Sequence, residues 1–317
     1  MPICLDPRVL LRRPRDFALV SIGAAVLTIA LKTAAWRATG SVGLLSDAIE
    51  SLVNLAAALT AYWALGLAAK PADRGHPYGH SKAEYFASGL ESALIVVAAA
   101  AIMQTAIVRL WAPEPLEQLG LGLALSILSS AINGLVAWAL LRAGRRFDSI
   151  TLRADGQHLL TDVWTSLGVV LALLLVQLTG LAWLDPVIAI AVALNIVVTG
   201  WRLLRETASG LLDGAMSETE QRQLDALLAA ASDEGISFHA LRSRVAGSRR
   251  FVSFHVLVPG SWTVAEGHAL CERLEREIGA ALPSTHVFTH LEPIEDPSSW
   301  DDQDLHWERQ PLRERRP

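Results

Sequence analysis

The distribution of apolar residues along the chain is the feature that most restricts its fold. Six stretches of mostly apolar residues each reach the ~20 residues that a helix needs to cross a lipid bilayer. They cover 16–36, 42–68, 83–111, 117–142, 149–178 and 184–206. Hydrophobic residues make up 52% of the 317 residues and charged residues only 19%. The pattern therefore predicts a polytopic α-helical membrane protein with six transmembrane helices.

The positions of lysine and arginine predict how these helices are oriented. Basic residues collect in the short loops on the cytoplasmic side of a membrane. The N-terminus, the second loop and the fourth loop are basic, whereas the other three loops carry little positive charge. The basic positions are Arg8, Arg12, Arg13, Arg15, Lys70, Arg74, Lys82, Arg142, Arg145 and Arg146. We expect both termini to lie in the cytoplasm.

After residue 210 the pattern changes to short, more polar elements. Two capping boxes predict helix starts, Ser217 with Glu220 and Thr263 with Glu266. Residues 237–246, 250–258 and 286–292 are predicted strands. The order αββαβ indicates a small α+β domain of ferredoxin-like or metallochaperone-like type. The predicted organisation is a basic cytoplasmic N-terminus (1–15), a six-helix domain (16–210), this cytoplasmic domain (211–295) and a disordered tail (296–317).

Charge and cysteine content exclude several functional classes. The formal net charge of -5 gives no basic surface for nucleic acid. Cys4 and Cys271 are the two cysteines and lie far apart in the chain, so neither a disulfide framework nor a cysteine-rich zinc module is expected.

Two apolar stretches carry matching polar stripes. A charged side chain at the bilayer centre costs at least ~2.5 to 3.5 kcal/mol, so each one needs a reason. The spacing i, i+3, i+7 places each set of three side chains on one helical face. The stripes are Asp47, Glu50 and Asn54 in the second stretch, and Asp155, His158 and Asp162 in the fifth.

Four of these side chains are predicted to meet at one depth. The two helices run antiparallel, and Glu50, Asn54, His158 and Asp162 fall close to the bilayer midplane. Two ligands from each helix give the usual four ligands of a tetrahedral divalent cation. The alternative is that these polar groups only join helices by hydrogen bonds. Five ionisable groups in two matched stripes favour a cation site.

The remaining polar residues of the apolar stretches receive smaller roles. Asp47 and Asp155 would line the outer and cytoplasmic approaches to the four-residue site, respectively. Asn133 and Asn195 are interpreted as packing or hydrogen-bonding residues.

Several segments together resemble the cation diffusion facilitator family, also called the zinc transporter family. The matching segments are TGSVGLLSDAIESLVNLAAALTAYWAL, HPYGHSKAEYFASGLESALI, LRADGQHLLTDVWTSLGVVLAL and LDPVIAIAVALNIVVTGWRLL. The resemblance covers residues 16–293 and is to the bacterial type that exports ferrous iron and zinc. It implies a homodimer in the bacterial inner (plasma) membrane, acting as a secondary transporter without an organic cofactor. Such a transporter exports divalent cations in exchange for protons.

The resemblance also implies the transport site. Matched residue by residue, the family's four ligands fall on Glu50, Asn54, His158 and Asp162, with proton coupling through His158 and Asp162. The family usually has His or Asp where this chain has Glu50, and Asp where it has Asn54. Zinc remains the first expectation, followed by Fe(II), Co(II) and Mn(II), with Cd(II) also possible.

Two further metal sites are implied by the same resemblance. The second cytoplasmic loop carries Asp73, His76 and His80 at the spacing of the family's loop site, although loop histidines are often solvated bystanders. Lys82 matches a lysine that pairs with an aspartate at the base of the sixth span, here Asp213. A cytoplasmic site bridging the two protomers, structural or regulatory, is implied at His239, His255, His268, His290 and Glu292.

Two other functions fit parts of the pattern. An intramembrane metalloenzyme would need an open coordination position and a base, but no hydrolytic signature such as H-E-x-x-H occurs. A membrane-anchored metal sensor would rely on the cytoplasmic domain. Transport by the membrane domain alone distinguishes a carrier from a sensor.

Overall fold

The computed structural model describes residues 13–39, 42–111, 121–181, 183–232 and 235–300. These residues form two compact units that divide between Leu212 and Asp213.

Long helices make up the first unit. They are α1 (Pro14–Thr39), α2 (Val42–Ala68), α3 (Ala83–Trp111), α4 (Leu121–Arg146), α5 (Ile150–Thr179) and α6 (Leu184–Leu211). Four segments of the described chain are long and apolar enough to cross a membrane, Pro14–Ala34, Ala83–Trp111, Ile127–Arg146 and Pro186–Leu211. Helices α2 and α5 are not among these four, so the arrangement with six spans stays a prediction.

Helix pairs pack along their lengths, and glycine allows the closest approach. Helix α3 packs along α6, α1 along α2, and α4 along α5. At Gly210 in α6, an added Cβ would lie 2.2 Å from the ring of Tyr85 in α3. Small residues of this kind let helix backbones approach closely in membranes. The contact fixes the start of α3 against the end of α6.

A buried polar network joins α3 to the start of α5. The Ser149 side chain caps α5 by accepting a hydrogen bond from the backbone N–H of Leu152, and its hydroxyl donates to the Glu84 carboxylate. The Thr151 hydroxyl donates to the backbone carbonyl of Glu84 at 3.1 Å. These contacts set where α5 begins and so position its polar stripe.

The second unit has the predicted αββαβ order. Its elements are α7 (Glu218–Ala231), β1 (Ser237–Ala246), β2 (Arg249–Val258), α8 (Val264–Ala281) and β3 (Thr285–Pro293). Strand β2 lies between β1, with which it is antiparallel, and β3, with which it is parallel. Both predicted capping boxes are present, at Ser217 and at Thr263. The core contains Leu224 of α7, Phe254 and Val256 of β2, and Leu274 and Ile278 of α8.

The start of the predicted disordered tail is wrong. Residues Pro297–Trp300 form a short 3₁₀ helix, and the indole N–H of Trp300 donates to the carbonyl of Ile294 at 3.0 Å. The buried side chain of Ser299 anchors the segment by donating to the carbonyl of Pro293 at 2.9 Å. Residues 301–317 lie outside the described part of the chain.

Candidate metal centres

Three of the four predicted transport ligands lie against one another between α2 and α5. The side-chain N–H of Asn54 donates to Asp162 Oδ2 at 2.5 Å, and His158 Nε2 lies 2.8 Å from Asn54 Oδ1. Asn54 is 4% exposed and His158 5% exposed. The contact brings an imidazole nitrogen, an amide oxygen and a carboxylate together in a site shielded from solvent.

The fourth predicted ligand is described only by its backbone. Glu50 lies in α2 one turn before Asn54, and Asp47 lies one turn before Glu50. The side chains of both residues lie outside the described part of the structure. Their roles as ligand and as pathway residue stay predictions.

Asn133 of α4 joins the same carboxylate. Its side-chain N–H donates to Asp162 Oδ2 at 3.3 Å, and the residue is 4% exposed. The sequence interpretation of Asn133 as a hydrogen-bonding residue did not connect it with this site. The sequence shows that Asn133 is a polar residue in an apolar stretch, but this pattern does not identify the helix that packs against it. Asp162 therefore accepts from two amides that come from different helices.

Asp155 is more deeply buried than a residue that lines an open path to the four-residue site would be. It is 1% exposed, and its Oδ1 accepts from the Ser21 hydroxyl of α1 at 3.1 Å. Its predicted role in the cytoplasmic approach stays a prediction.

The loop between α2 and α3 brings Asp73, His76 and His80 together. His76 Nδ1 lies 3.5 Å from Asp73 Oδ1, and His80 Nε2 lies 3.4 Å from Asp73 Oδ2. One ligand atom from each residue falls within 4.8 Å of the others, close enough to hold a metal ion. The backbone N–H groups of Gly75 and His76 both donate to Asp73 Oδ1 at 2.8 Å, which shapes the turn. The hydrogen bond from the His76 backbone lowers the pKa of the Asp73 carboxyl below its ordinary value.

The predicted partners Lys82 and Asp213 each have other contacts. The Lys82 ammonium donates to the carbonyl of Leu211 at 3.2 Å, and Asp213 accepts from the Arg244 guanidinium at 3.1 Å. Their mutual salt bridge stays a prediction.

The pairing of the strands brings a further group of possible metal ligands together on the sheet. His239 of β1 is paired with His255 of β2, which is paired in turn with His290 of β3. Paired residues on neighbouring strands point to the same face. The Glu292 carboxylate lies beside them, with Oε2 at 3.1 Å from both His239 Nε2 and His255 Nδ1. His239, His255 and Glu292 could hold a metal ion.

The other two predicted members of this cluster differ in position. His290 Nε2 lies 3.4 Å from Glu292 Oε1, but its side chain is 67% exposed. His268 lies on the exposed side of α8 and is not in the group of adjacent ligand atoms. The ring of Trp300 packs edge-on against His239, with 5.7 Å between ring centroids, a neighbour that sequence analysis placed in a disordered tail. Ligand roles for His268 and His290 stay predictions.

Two protein-family models match this chain. Residues 18–212 match the family model described as the cation efflux transmembrane domain. The chain belongs to the cation efflux family. Residues 216–294 match the second model of this family, described as the cation efflux protein cytoplasmic domain. That model is named for a dimer, which points to a homodimer.

Individual relatives cover nearly the whole chain. The uncharacterized transporter sll1263 of Synechocystis sp. is 54% identical over 96% of this chain and 99% of its own length. The cation-efflux pump FieF of Shewanella oneidensis is 30% identical over 87% of this chain and 92% of its own. FieF of Serratia proteamaculans is 29% identical over 89% and 93%, respectively. Membership of the cation efflux family makes the protein a membrane transporter of cations rather than an enzyme.

Proposed function

We propose that the protein exports a divalent metal ion across the bacterial inner membrane in exchange for protons. The observation that carries this proposal is the buried contact among Asn54, His158 and Asp162 between two helices of the membrane domain. Together with Glu50, these groups would form a transport site near the bilayer midplane. The proposal includes six spans, both termini in the cytoplasm, and a homodimer.

Proton exchange follows from the chemistry of the donor atoms. A dication needs neutral His158 and ionised carboxylates at Asp162 and Glu50, so metal binding releases protons and protonation weakens metal binding. His158 is the strongest candidate for the exchanged proton because the ordinary pKa of histidine lies nearest physiological pH. If the site opens alternately to each side, an inward proton gradient drives metal outward.

Zinc is the first candidate for the ion. One imidazole nitrogen with carboxylate and amide oxygens suits Zn(II), and also Fe(II), Co(II) and Cd(II). The amide of Asn54 and the carboxylate of Glu50 widen the choice to Mn(II), which prefers oxygen ligands. Competition among these ions in vesicles containing the purified protein identifies the preferred ion.

We expect metal transport in proteoliposomes to follow an imposed pH gradient and to depend on His158. The variant His158→Ala should lose at least ~10-fold in transport rate, because the site loses its imidazole and loss of a residue that only supports a metal ligand already costs about 10- to 100-fold. A metal-sensitive dye inside the vesicles reports the rate. His286→Ala is the control, since His286 stacks on Phe251 outside the three clusters. Transport that ignores the pH gradient contradicts antiport, and an unchanged rate in His158→Ala contradicts the role of that residue.

The group of His239, His255, His290 and Glu292 on the sheet, here called the cytoplasmic cluster, is proposed to bind metal. Binding there is proposed to make the state of the dimer depend on the metal concentration. Binding that is tighter in one arrangement of the paired domains shifts the dimer towards that arrangement. The group of Asp73, His76 and His80 is proposed to bind metal at the cytoplasmic loop, with Lys82 and Asp213 paired beside it. Both proposals rest on donor atoms that already lie close together.

The variant Glu292→Gln should weaken metal binding by the cytoplasmic cluster roughly 10- to 100-fold, because it removes the charge that His239 and His255 share. Calorimetric titration of the purified full-length protein with zinc measures this loss. Glu275→Gln is a matched control, since the Glu275 carboxylate accepts from Thr289 at 2.8 Å and contacts no histidine of the cluster. Equal zinc affinity in wild type and Glu292→Gln contradicts the proposed site.

A further inference from the structure

Glu91 of α3 is a fully buried carboxyl group that the transport site does not use. It is 0% exposed, and neither of its carboxylate oxygens has a hydrogen-bond partner within the described residues. Helix α3 packs against α5, and Asp155 of α5 acts electrostatically on Glu91. Asp155 Oδ1 accepts from Ser21, whereas its Oδ2 also lacks a partner in the described part of the chain. Three carboxylate oxygens are therefore left unsatisfied in one buried region.

The hydroxyl groups nearest to Glu91 along α3 are already engaged elsewhere. The Ser92 hydroxyl donates to the carbonyl of Ser88 at 2.6 Å. The Ser88 hydroxyl donates to the carbonyl of Tyr85 at 3.2 Å and lies 2.9 Å from the hydroxyl of Thr207 in α6. These groups do not stabilise a negative charge on Glu91. Two ionised carboxylates in such surroundings are strongly unfavourable unless a cation lies between them.

The donor atoms decide which cation fits. A tetrahedral dication needs about four ligands and usually includes nitrogen or sulfur donors. Glu91 and Asp155 offer three free oxygens and no imidazole, since His158 Nε2 is directed to Asn54. A proton needs only one of these oxygens, and two carboxylates that lie near each other in a buried site do not both ionise readily. A proton therefore suits the pair better than a metal ion does.

We propose that Glu91 and Asp155 together hold one proton and form a second proton-binding site, which releases that proton when a dication binds at the transport site. The inference rests on the proposed metal and proton exchange and adds a titratable group outside the metal ligands. When the proton leaves, the O–H bond of the protonated carboxyl group breaks and the proton passes to water. The charge of the pair then changes from one negative charge to two.

Helices that pack against α3 could bring other titratable groups to Glu91. Helices α2, α5 and α6 pack against α3. Of their described titratable residues, Asp155 is the one that acts electrostatically on Glu91. The described charged side chains of α6 are exposed. The described titratable residues of these helices are Tyr62 in α2, Arg153, Asp155, His158 and Asp162 in α5, and Arg202, Arg205 and Glu206 in α6.

Helix α5 couples the pair to the transport site. Asp155 lies three residues before His158, which is about 4.5 Å of helix rise. A dication held by His158 and Asp162 disfavours a proton on the pair, because like charges repel more strongly where water is excluded. The deprotonated pair in turn attracts the metal ion. Protonation of the pair then assists release of the metal.

The first test is the number of protons released when zinc binds to the purified full-length protein in weakly buffered detergent solution. We expect Glu91→Gln to release about one proton fewer per bound zinc than wild type, because the amide cannot ionise. Asp155→Asn should show the same loss. Glu91→Asp keeps a carboxyl group and should release as many protons per bound zinc as wild type. In proteoliposomes, Glu91→Gln should still transport zinc, with fewer protons moved per zinc ion.

The matched control is Glu84→Gln. Glu84 is a second buried carboxyl of α3, but it accepts hydrogen bonds from the Ser149 hydroxyl and the Thr151 backbone N–H. Its variant should release as many protons per zinc as wild type. Equal proton release by Glu91→Gln and wild type overturns this inference and leaves proton exchange at the transport site intact. Absence of proton release from wild type overturns both.

A spectroscopic test can start from the wild-type protein. The infrared difference spectrum of wild type on zinc addition should show loss of the carbonyl band of a protonated carboxylic acid. That loss should be missing in Glu91→Gln and present in Glu84→Gln. A wild-type spectrum without this loss overturns the inference even if every variant fails to fold.

Discussion

Replacing Asp162 with asparagine is expected to reduce the rate of metal transport at least ~100-fold. Loss of a supporting residue around a metal site costs about 10- to 100-fold, and Asp162 is a proposed ligand. Its Oδ2 also accepts from both Asn54 and Asn133, and an amide oxygen at this position can keep these two hydrogen bonds but carries no negative charge to hold a dication. Metal uptake into proteoliposomes, read with an internal dye, measures the change.

The control for this variant is Asp148→Asn, which removes a carboxylate just before α5. Asp148 has a φ of 52°, a left-handed conformation that asparagine also accepts, so its backbone should be unaffected. We expect this variant to transport at close to the wild-type rate. Detergent-solubilised samples of both variants should elute like wild type in size-exclusion chromatography. A folded Asp162→Asn protein that transports normally contradicts the proposed site.

The contact between α2 and α5 could be predicted from sequence because helical periodicity fixes which side chains share a face. Asn54 and His158 lie in matched stripes, and two matched stripes in apolar helices are best satisfied by facing each other. The structure brings Asn54, His158 and Asp162 into contact as that reasoning requires. Helical periodicity does not reveal the partners of Asn133 or Glu91, because neither residue belongs to the two matched stripes. Their neighbours depend on which helices pack together.

The sheet cluster shows a related difference between sequence and structure. The alternation of β2 predicts that strand, but the alignment of His239, His255 and His290 depends on the register of three strands. Register is set by tertiary packing and by the irregularity between His239 and Arg242, which the sequence pattern does not reveal. The family resemblance identified the candidate ligands of the sheet cluster, whereas the distances between them could be measured only in the structure.

The variant Phe254→Ala is expected to lower the free energy of unfolding of the cytoplasmic domain by about 3 to 5 kcal/mol. Phe254 of β2 is 1% exposed and packs edge-on against Phe238 of β1, with 5.8 Å between ring centroids. Loss of the ring leaves a cavity in a core built from one sheet and two helices. In a small domain, a loss of this size is a large part of the total stability. Hydrogen–deuterium exchange of β2 amides in the full-length protein measures it.

Phe288→Ala is the control that separates the loss of a buried ring from the loss of any aromatic ring. Phe288 lies on the neighbouring strand β3 and is 51% exposed. Removing an exposed ring forfeits little burial and leaves no cavity, so amide exchange in β2 should stay close to wild type. The Phe254 variant should also bind zinc more weakly at the cytoplasmic cluster, because His255 follows Phe254 directly in β2 and its pairing with His239 and His290 requires an intact sheet. Equal exchange rates in the two variants contradict the assigned core. Fast exchange with undiminished zinc affinity shows instead that the cluster forms without the sheet.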